Sequence, residues 1–88
     1  MITKQYTITA PQGLHARPAT TLIRLVKNFK SVVNIQKGGK TVRLNSMINL
    51  LSLTIKGGET VTVTIEGEDE INAAEALDLF FAEELKDL

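Results

Sequence analysis

The stretch TVTVTIE, residues 60–66, alternates threonine with an aliphatic residue without a break. A strand turns successive side chains to opposite faces, so the alternation sets Val61, Val63 and Ile65 on one side and the threonines on the other. Only one face of such a sheet needs a cover. Strands buried on both faces read as continuous aliphatic runs, whereas a half-covered antiparallel sheet reads as this segment does. The stretch therefore predicts an antiparallel sheet with helices packed on a single face.

On the N-terminal side Gly57-Gly58 resets the chain, after a short apolar stretch MINLLSL opened by Asn45-Ser46. Helical spacing turns Leu50 and Leu53 inward there and leaves Met47, Ile48 and Leu51 facing elsewhere. Further back, SVVNIQ and KTVRL flank Gly38-Gly39, a pair that suits a two-residue hairpin loop, with Val33, Ile35, Val42 and Leu44 toward the core. From Ala16 to Phe29, apolar residues at 19, 22, 23, 26 and 29 recur at helical spacing, with Arg24 and Lys27 on the wet side. Residues 2–9 read as a half-buried strand in which Lys4 breaks the pattern set by Ile2, Tyr6 and Ile8. Downstream, a helix is expected from about Asp69 to Leu85, with Ile71, Ala74, Leu77, Phe81 and Leu85 as its apolar stripe. Asp69 and Glu70 suit its positive end.

The expected order is β-α-β-β-α-β-α, an α+β fold in one domain spanning residues 1–88, with an open antiparallel sheet covered on one face. A right-handed first crossover leaves a slot between the first two strands, which the 60–66 strand fills.

Composition narrows the chemistry. There is no cysteine and one histidine, so neither thiolate nor histidine-cluster metal sites are expected, and no cofactor is implied. No apolar run approaches membrane-spanning length and the N-terminal stretch lacks a signal-like apolar region, so a soluble, cytoplasmic protein is expected. The zero net charge conceals a split: nine of ten bases precede residue 59, and all ten acids lie from Glu59 to Asp87 with only Lys86 among them. A basic side steers toward an acidic partner. Nucleic acid is disfavoured as that partner, because the basic half holds only Tyr6 and Phe29 as aromatics and carries no nucleic-acid motif.

The one histidine, His15, stands in GLHARPAT, residues 13–20, just ahead of the first helix. Backbone N–H groups there have no intrahelical acceptor, and the helix presents its positive end. Pro18 fits the first turn because its missing N–H would have been unpaired anyway, but it disfavours helical geometry at Arg17, which predicts a start near residue 17. Ala16 and Arg17 then offer free N–H donors, and the Arg17 guanidinium matches phosphate oxygens. Nucleophilic imidazole, amide donors and a guanidinium suffice for phosphoryl transfer, which asks mainly for positioning and charge compensation. With no second acid, base or metal set to activate water, a phosphoryl group on His15 is expected to persist until another protein removes it. Taken alone, a histidine before a helix is more often a surface residue or weak cap.

GLHARPA together with NSMINLLSL, the GGKTV hairpin and GEDE before the last helix resembles the HPr family, histidine phosphocarriers of the bacterial phosphoenolpyruvate-dependent sugar phosphotransferase system. The resemblance covers essentially the whole chain. It implies an open-faced β-sandwich of four antiparallel strands under three helices, and a carrier rather than an enzyme. It further implies that His15 accepts a phosphoryl group at Nδ1 from Enzyme I and passes it to enzyme IIA domains, with Arg17 as charge partner. Ser46 matches the family's regulatory serine, the target of an ATP-dependent HPr kinase/phosphorylase, and is also a natural N-cap. Met47, Ile48 and Leu51, rimmed by Arg17, Arg24 and Lys27 with Thr20 on the same surface, would form a docking patch. A monomer is expected. The alternative is a regulatory member of the family that acts through Ser46 on a transcription factor. Departures from the family pattern fall at Gln12, Asn49 and Thr54, where a β-branched residue replaces a small one; none touches His15 or Arg17.

Overall fold

The computed structural model describes residues 1–88. Its elements are β1 (Ile2–Thr7), α1 (Ala16–Val26), β2 (Val32–Lys37), β3 (Lys40–Arg43), α2 (Met47–Leu51), β4 (Thr60–Glu66) and α3 (Glu70–Leu79), followed by a π-helical turn, Phe80–Glu84, and a 3-10 turn, Leu85–Asp87. Alternation becomes burial in β4, where Val61, Val63 and Ile65 are sealed in the core. The sheet order is β1-β4-β2-β3 and every pairing is antiparallel, so β4 does occupy the slot between the first two strands.

The registers explain why one face stays open. Across the sheet, Thr3, Thr64, Asn34 and Arg43 form one row, and Gln5, Thr62, Gln36 and Thr41 the next. These side chains bond to water without cost, which leaves the helices to cover the opposite face. Lys4 lies among the inward residues of β1 and is accommodated by pairing: its ammonium is 3.3 Å from Asp78, whose other oxygen accepts the Tyr6 hydroxyl at 2.6 Å. Burial first, and then Asp78, hold the Tyr6 phenol well above the ordinary range. The Tyr6 ring stacks on Phe81 with centroids 4.2 Å apart.

The elements depart from the sequence reading in three ways. First, α1 starts at Ala16 with Arg17 already helical, and it stops at Val26; Phe29 follows it, half-buried in the connection to β2. The preference against helix before proline is weaker here than the pull of Ala19, Leu22 and Ile23, which lock the first turns into the core. Second, β1 ends at Thr7, and Ile8 is buried beyond it, its carbonyl accepting from Gly58. Third, the last helix is not uniform. Ala74, Leu77, Phe81 and Leu85 are buried as expected, but Ile71 is 67% exposed and Phe80 is fully buried. At 100° per residue Ile71 stands roughly 110° from the centre of the Ala73, Ala74 and Leu77 face, and the wider π turn brings both Phe80 and Phe81 inward.

Asp69 ties this helix to the rest of the molecule. It accepts the Lys30 N–H at 2.8 Å, the Ser31 N–H at 3.0 Å and the Ser31 hydroxyl. The start of α3 is thereby fastened to the α1–β2 connection.

Candidate functional site

His15 is the residue immediately before α1. Its backbone is extended (φ −81°, ψ −171°), and its carbonyl accepts the first intrahelical bond, from Ala19 at 3.0 Å. The imidazole makes no capping hydrogen bond and is partly exposed. Since Pro18 has no N–H and the Ala19 N–H is used, the donors left at this helix end are those of Ala16 and Arg17. His15 therefore directly precedes two unpaired amides at the positive pole of an 11-residue helix.

The loop that delivers His15 is held from behind. Leu14 is buried and donates its N–H to the Ile55 carbonyl at 3.0 Å, while Gly13 donates to Ala10 at 2.9 Å. Gly13 adopts φ +71°, and a Cβ there would stand 2.1 Å from the Ile55 oxygen. Only glycine allows the two loops to pass this closely. The Ile55 segment is braced in turn by Lys37, whose ammonium donates to the Thr54 carbonyl at 2.6 Å and pairs with Glu59 at 3.0 Å. The Lys56 N–H and then Lys37 hold the Glu59 carboxyl below its ordinary range.

Arg17 is exposed with no carboxylate within ion-pair distance, as are Arg24 on the same helix and Lys27 just after its end. Positions 17 and 24 are two turns apart and share a face. Thr20 lies between them; its hydroxyl donates to the Ala16 carbonyl at 2.8 Å and lies 3.8 Å from the Met47 sulfur, joining α1 to α2. On α2 the outward residues are Ile48, 81% exposed, and Leu51, 38% exposed, while Leu50 is sealed inside. Met47, which helical spacing turned away from the core, is instead half-buried and packs on it. Ser46 caps α2, its hydroxyl accepting the Asn49 N–H at 3.3 Å.

The fold thus packs α1 against α2, with His15 and Leu51 lining one cleft, Thr20 against Met47, Arg17 and Arg24 on the Thr20 side of α1, and Lys27 just past the end of that helix. Three neighbours of the imidazole, Gln12, Lys56 and Lys86, were not assigned to the site from the sequence. Gln12 lines both clefts that flank His15; one, of about 240 Å³, adds Leu51, Thr54 and Lys56, and the other, of about 270 Å³, adds Lys86 and Asp87. Spacing in sequence gave no signal for Lys56, but the isolation of Lys86 among acids did.

Comparison with known proteins agrees with this picture. A family model described as the PTS HPr component phosphorylation site matches residues 2–83. The HPr-like protein Crh of Halalkalibacterium halodurans is 40% identical over 84 residues, covering 96% of this chain and all of the relative. The histidine-containing phosphocarrier protein of Mycoplasma superposes with a TM-score of 0.89 at 30% identity over 96% of both chains. Crh of Bacillus subtilis, described as a swapped-domain dimer, gives a TM-score of 0.75 at 35% identity, covering 97% of this chain and 98% of that one. Agreement of sequence and fold over nearly every residue places the chain in the HPr family of phosphocarrier proteins, which carry phosphoryl groups and are not catalysts.

Proposed function

We propose that the chain is a phosphocarrier of the sugar phosphotransferase system, taking a phosphoryl group from phosphorylated Enzyme I onto His15 and giving it to enzyme IIA domains. The observation that carries the reading is a partly exposed imidazole, free of hydrogen bonds to its own helix, beside the unpaired N–H groups of Ala16 and Arg17. In the transfer the donor's bond to phosphorus breaks with its electron pair, and an imidazole lone pair forms the new N–P bond. The amides and the Arg17 guanidinium compensate the charge of the arriving group without moving. The partner sits on Ile48 and Leu51 over Met47, an apolar centre with Arg17, Thr20, Arg24 and Lys27 as a polar and basic rim. The chain acts in the cytoplasm as a monomeric single domain, with no resident cofactor or metal.

The test is incubation with phosphoenolpyruvate and Enzyme I. Acid-labile, base-stable phosphate on His15, absent from His15→Ala, is the expected result; failure of the parent chain to take up label sinks the reading. Likeness to Crh, an HPr-like protein, favours a second reading in which Ser46 is the modified residue and a transcription factor the target. Acid-stable phosphate on Ser46 alone, formed with ATP and an HPr kinase/phosphorylase, would favour it. Sedimentation at working concentration decides between a monomer and a dimer of the kind described for Bacillus subtilis Crh.

A further inference from the structure

Ten carboxylates lie between Glu59 and Asp87, and one base, Lys86, stands among them. The 3-10 turn that carries it is pinned by Leu85, which is fully buried. The fold returns that turn to the opposite end of the sequence, where Lys86 and Asp87 wall the cleft of about 270 Å³ shared with Ala10, Gln12 and His15. The single cation of the acidic segment is thus the one that faces the histidine.

Resting on the phosphocarrier reading, we infer that Lys86 is a further phosphate-stabilising residue: its ammonium compensates a phosphoryl group on His15 from a cleft wall to which Arg17 does not contribute. The ordinary role for a lysine in a last turn is to complement the helix dipole. Against that role alone, Lys86 forms none of the molecule's ion pairs in spite of the carboxylates around it, and it lines the cleft of the reactive ring. A phosphoryl group adds about two negative charges to that cleft. Asp87 lies on the same wall and opposes them, so Lys86 also screens the group from its own neighbour. The remaining charges near the ring are Arg17 at the helix end, Lys56 in the second cleft and the α-carboxylate of Leu88, which lines the Lys86 cleft and, like Asp87, opposes the phosphoryl charge.

The test needs no partner protein. Phosphoramidate phosphorylates accessible imidazole directly: the ring nitrogen's lone pair forms the N–P bond as the donor's N–P bond breaks and its pair leaves with ammonia. The parent chain, Lys86→Gln, Lys86→Arg and Asp87→Asn are loaded in this way, and the phosphoryl resonance is followed by 31P NMR against pH. A nearby cation favours the more highly charged form, so Lys86→Gln is expected to raise the phosphoryl midpoint by roughly 0.3 pH units and Asp87→Asn to lower it by a similar amount. Lys86→Arg keeps the parent value, and both shifts shrink in about 1 M salt. A role confined to helix stability would move melting temperatures and leave the midpoints alone. Equal midpoints in all four chains, or shifts of the same sign for Lys86→Gln and Asp87→Asn, overturn the role of Lys86 and leave the carrier intact. Absence of label on His15 in the parent overturns both.

Discussion

Thr54 holds φ at +51°, the one residue other than glycine in the left-handed region. A β-branched side chain resists that conformation, so the chain stores strain two positions before Lys56 and directly behind the His15 loop. The carbonyl of the same residue is gripped by Lys37, which keeps the geometry in place. Thr54→Gly should therefore stabilise the protein by about 1 kcal/mol, read as a higher urea midpoint at unchanged slope. An unchanged or lower midpoint would show that the loop is not strained. The β-branched residue at 54 was visible in the sequence as a departure from the family pattern; its sign of φ was not, because nothing local in Leu53-Thr54-Ile55 specifies a left-handed turn.

Among the elements, α2 and α3 depend most on their first residues. With only five residues, α2 has little intrinsic stability, and the Ser46 hydroxyl satisfies one of its free N–H groups. Ser46→Ala should cost about 1 kcal/mol in thermal or urea unfolding, with the His15 loop unperturbed in NMR spectra. The start of α3 depends on Asp69, whose carboxyl is held below its ordinary range first by the Ser31 hydroxyl and then by the Lys30 N–H. A depressed carboxylate contributes stability that is present above its unfolded pKa and lost as pH falls through the folded value. Acid melts should accordingly show stability dropping below about pH 4, and Asp69→Asn should be weaker at pH 7 with a shallower acid decline. An identical pH profile for parent and variant would remove Asp69 from the account. Periodicity located the elements because α1 and β4 each bury one clean face. It misplaced Ile71 because spacing alone grouped it with Ala74 and Leu77, whereas the buried face also takes in Ala73 and is centred well away from it, and it missed Phe80 because no residue in FFAEE announces the π turn.

At the scale of the molecule, the charge split seen in the sequence becomes a surface. Three of the early bases find acidic partners from the later half, in Lys4–Asp78, Lys30–Glu68 and Lys37–Glu59, whereas Arg17, Arg24 and Lys27 beside the α1–α2 patch do not, nor do Lys40, Arg43 and Lys56. An acidic partner is drawn to the side left unneutralised. Ile48→Asp, changing an 81% exposed residue, should leave the melting temperature within about 1 °C and weaken Enzyme I binding by roughly tenfold or more, measured by calorimetry. Association rates of the parent should fall steeply with added salt. Full-strength binding by Ile48→Asp would move the dock elsewhere. The proposed reactive side could be put together from the sequence because its residues cluster in two short segments, 15–27 and 46–51. The clefts around His15 were not, since Gln12, Lys56 and Lys86 converge only through the Leu14–Ile55 contact and the return of the last turn.

The strand order has a consequence for how the protein is made. β1 bonds only to β4, so Ile2 meets its partner Ile65 after most of the chain has been synthesised. On the ribosome the first strand emerges with both edges bare and waits while α1, the β2–β3 hairpin and α2 follow it out. Pairings this distant in sequence slow folding relative to helical bundles of the same length. Arrest of translation before residue 60 should therefore leave a nascent chain whose N-terminal segment is open to proteases, and extension far enough to bring β4 clear of the ribosome should close it.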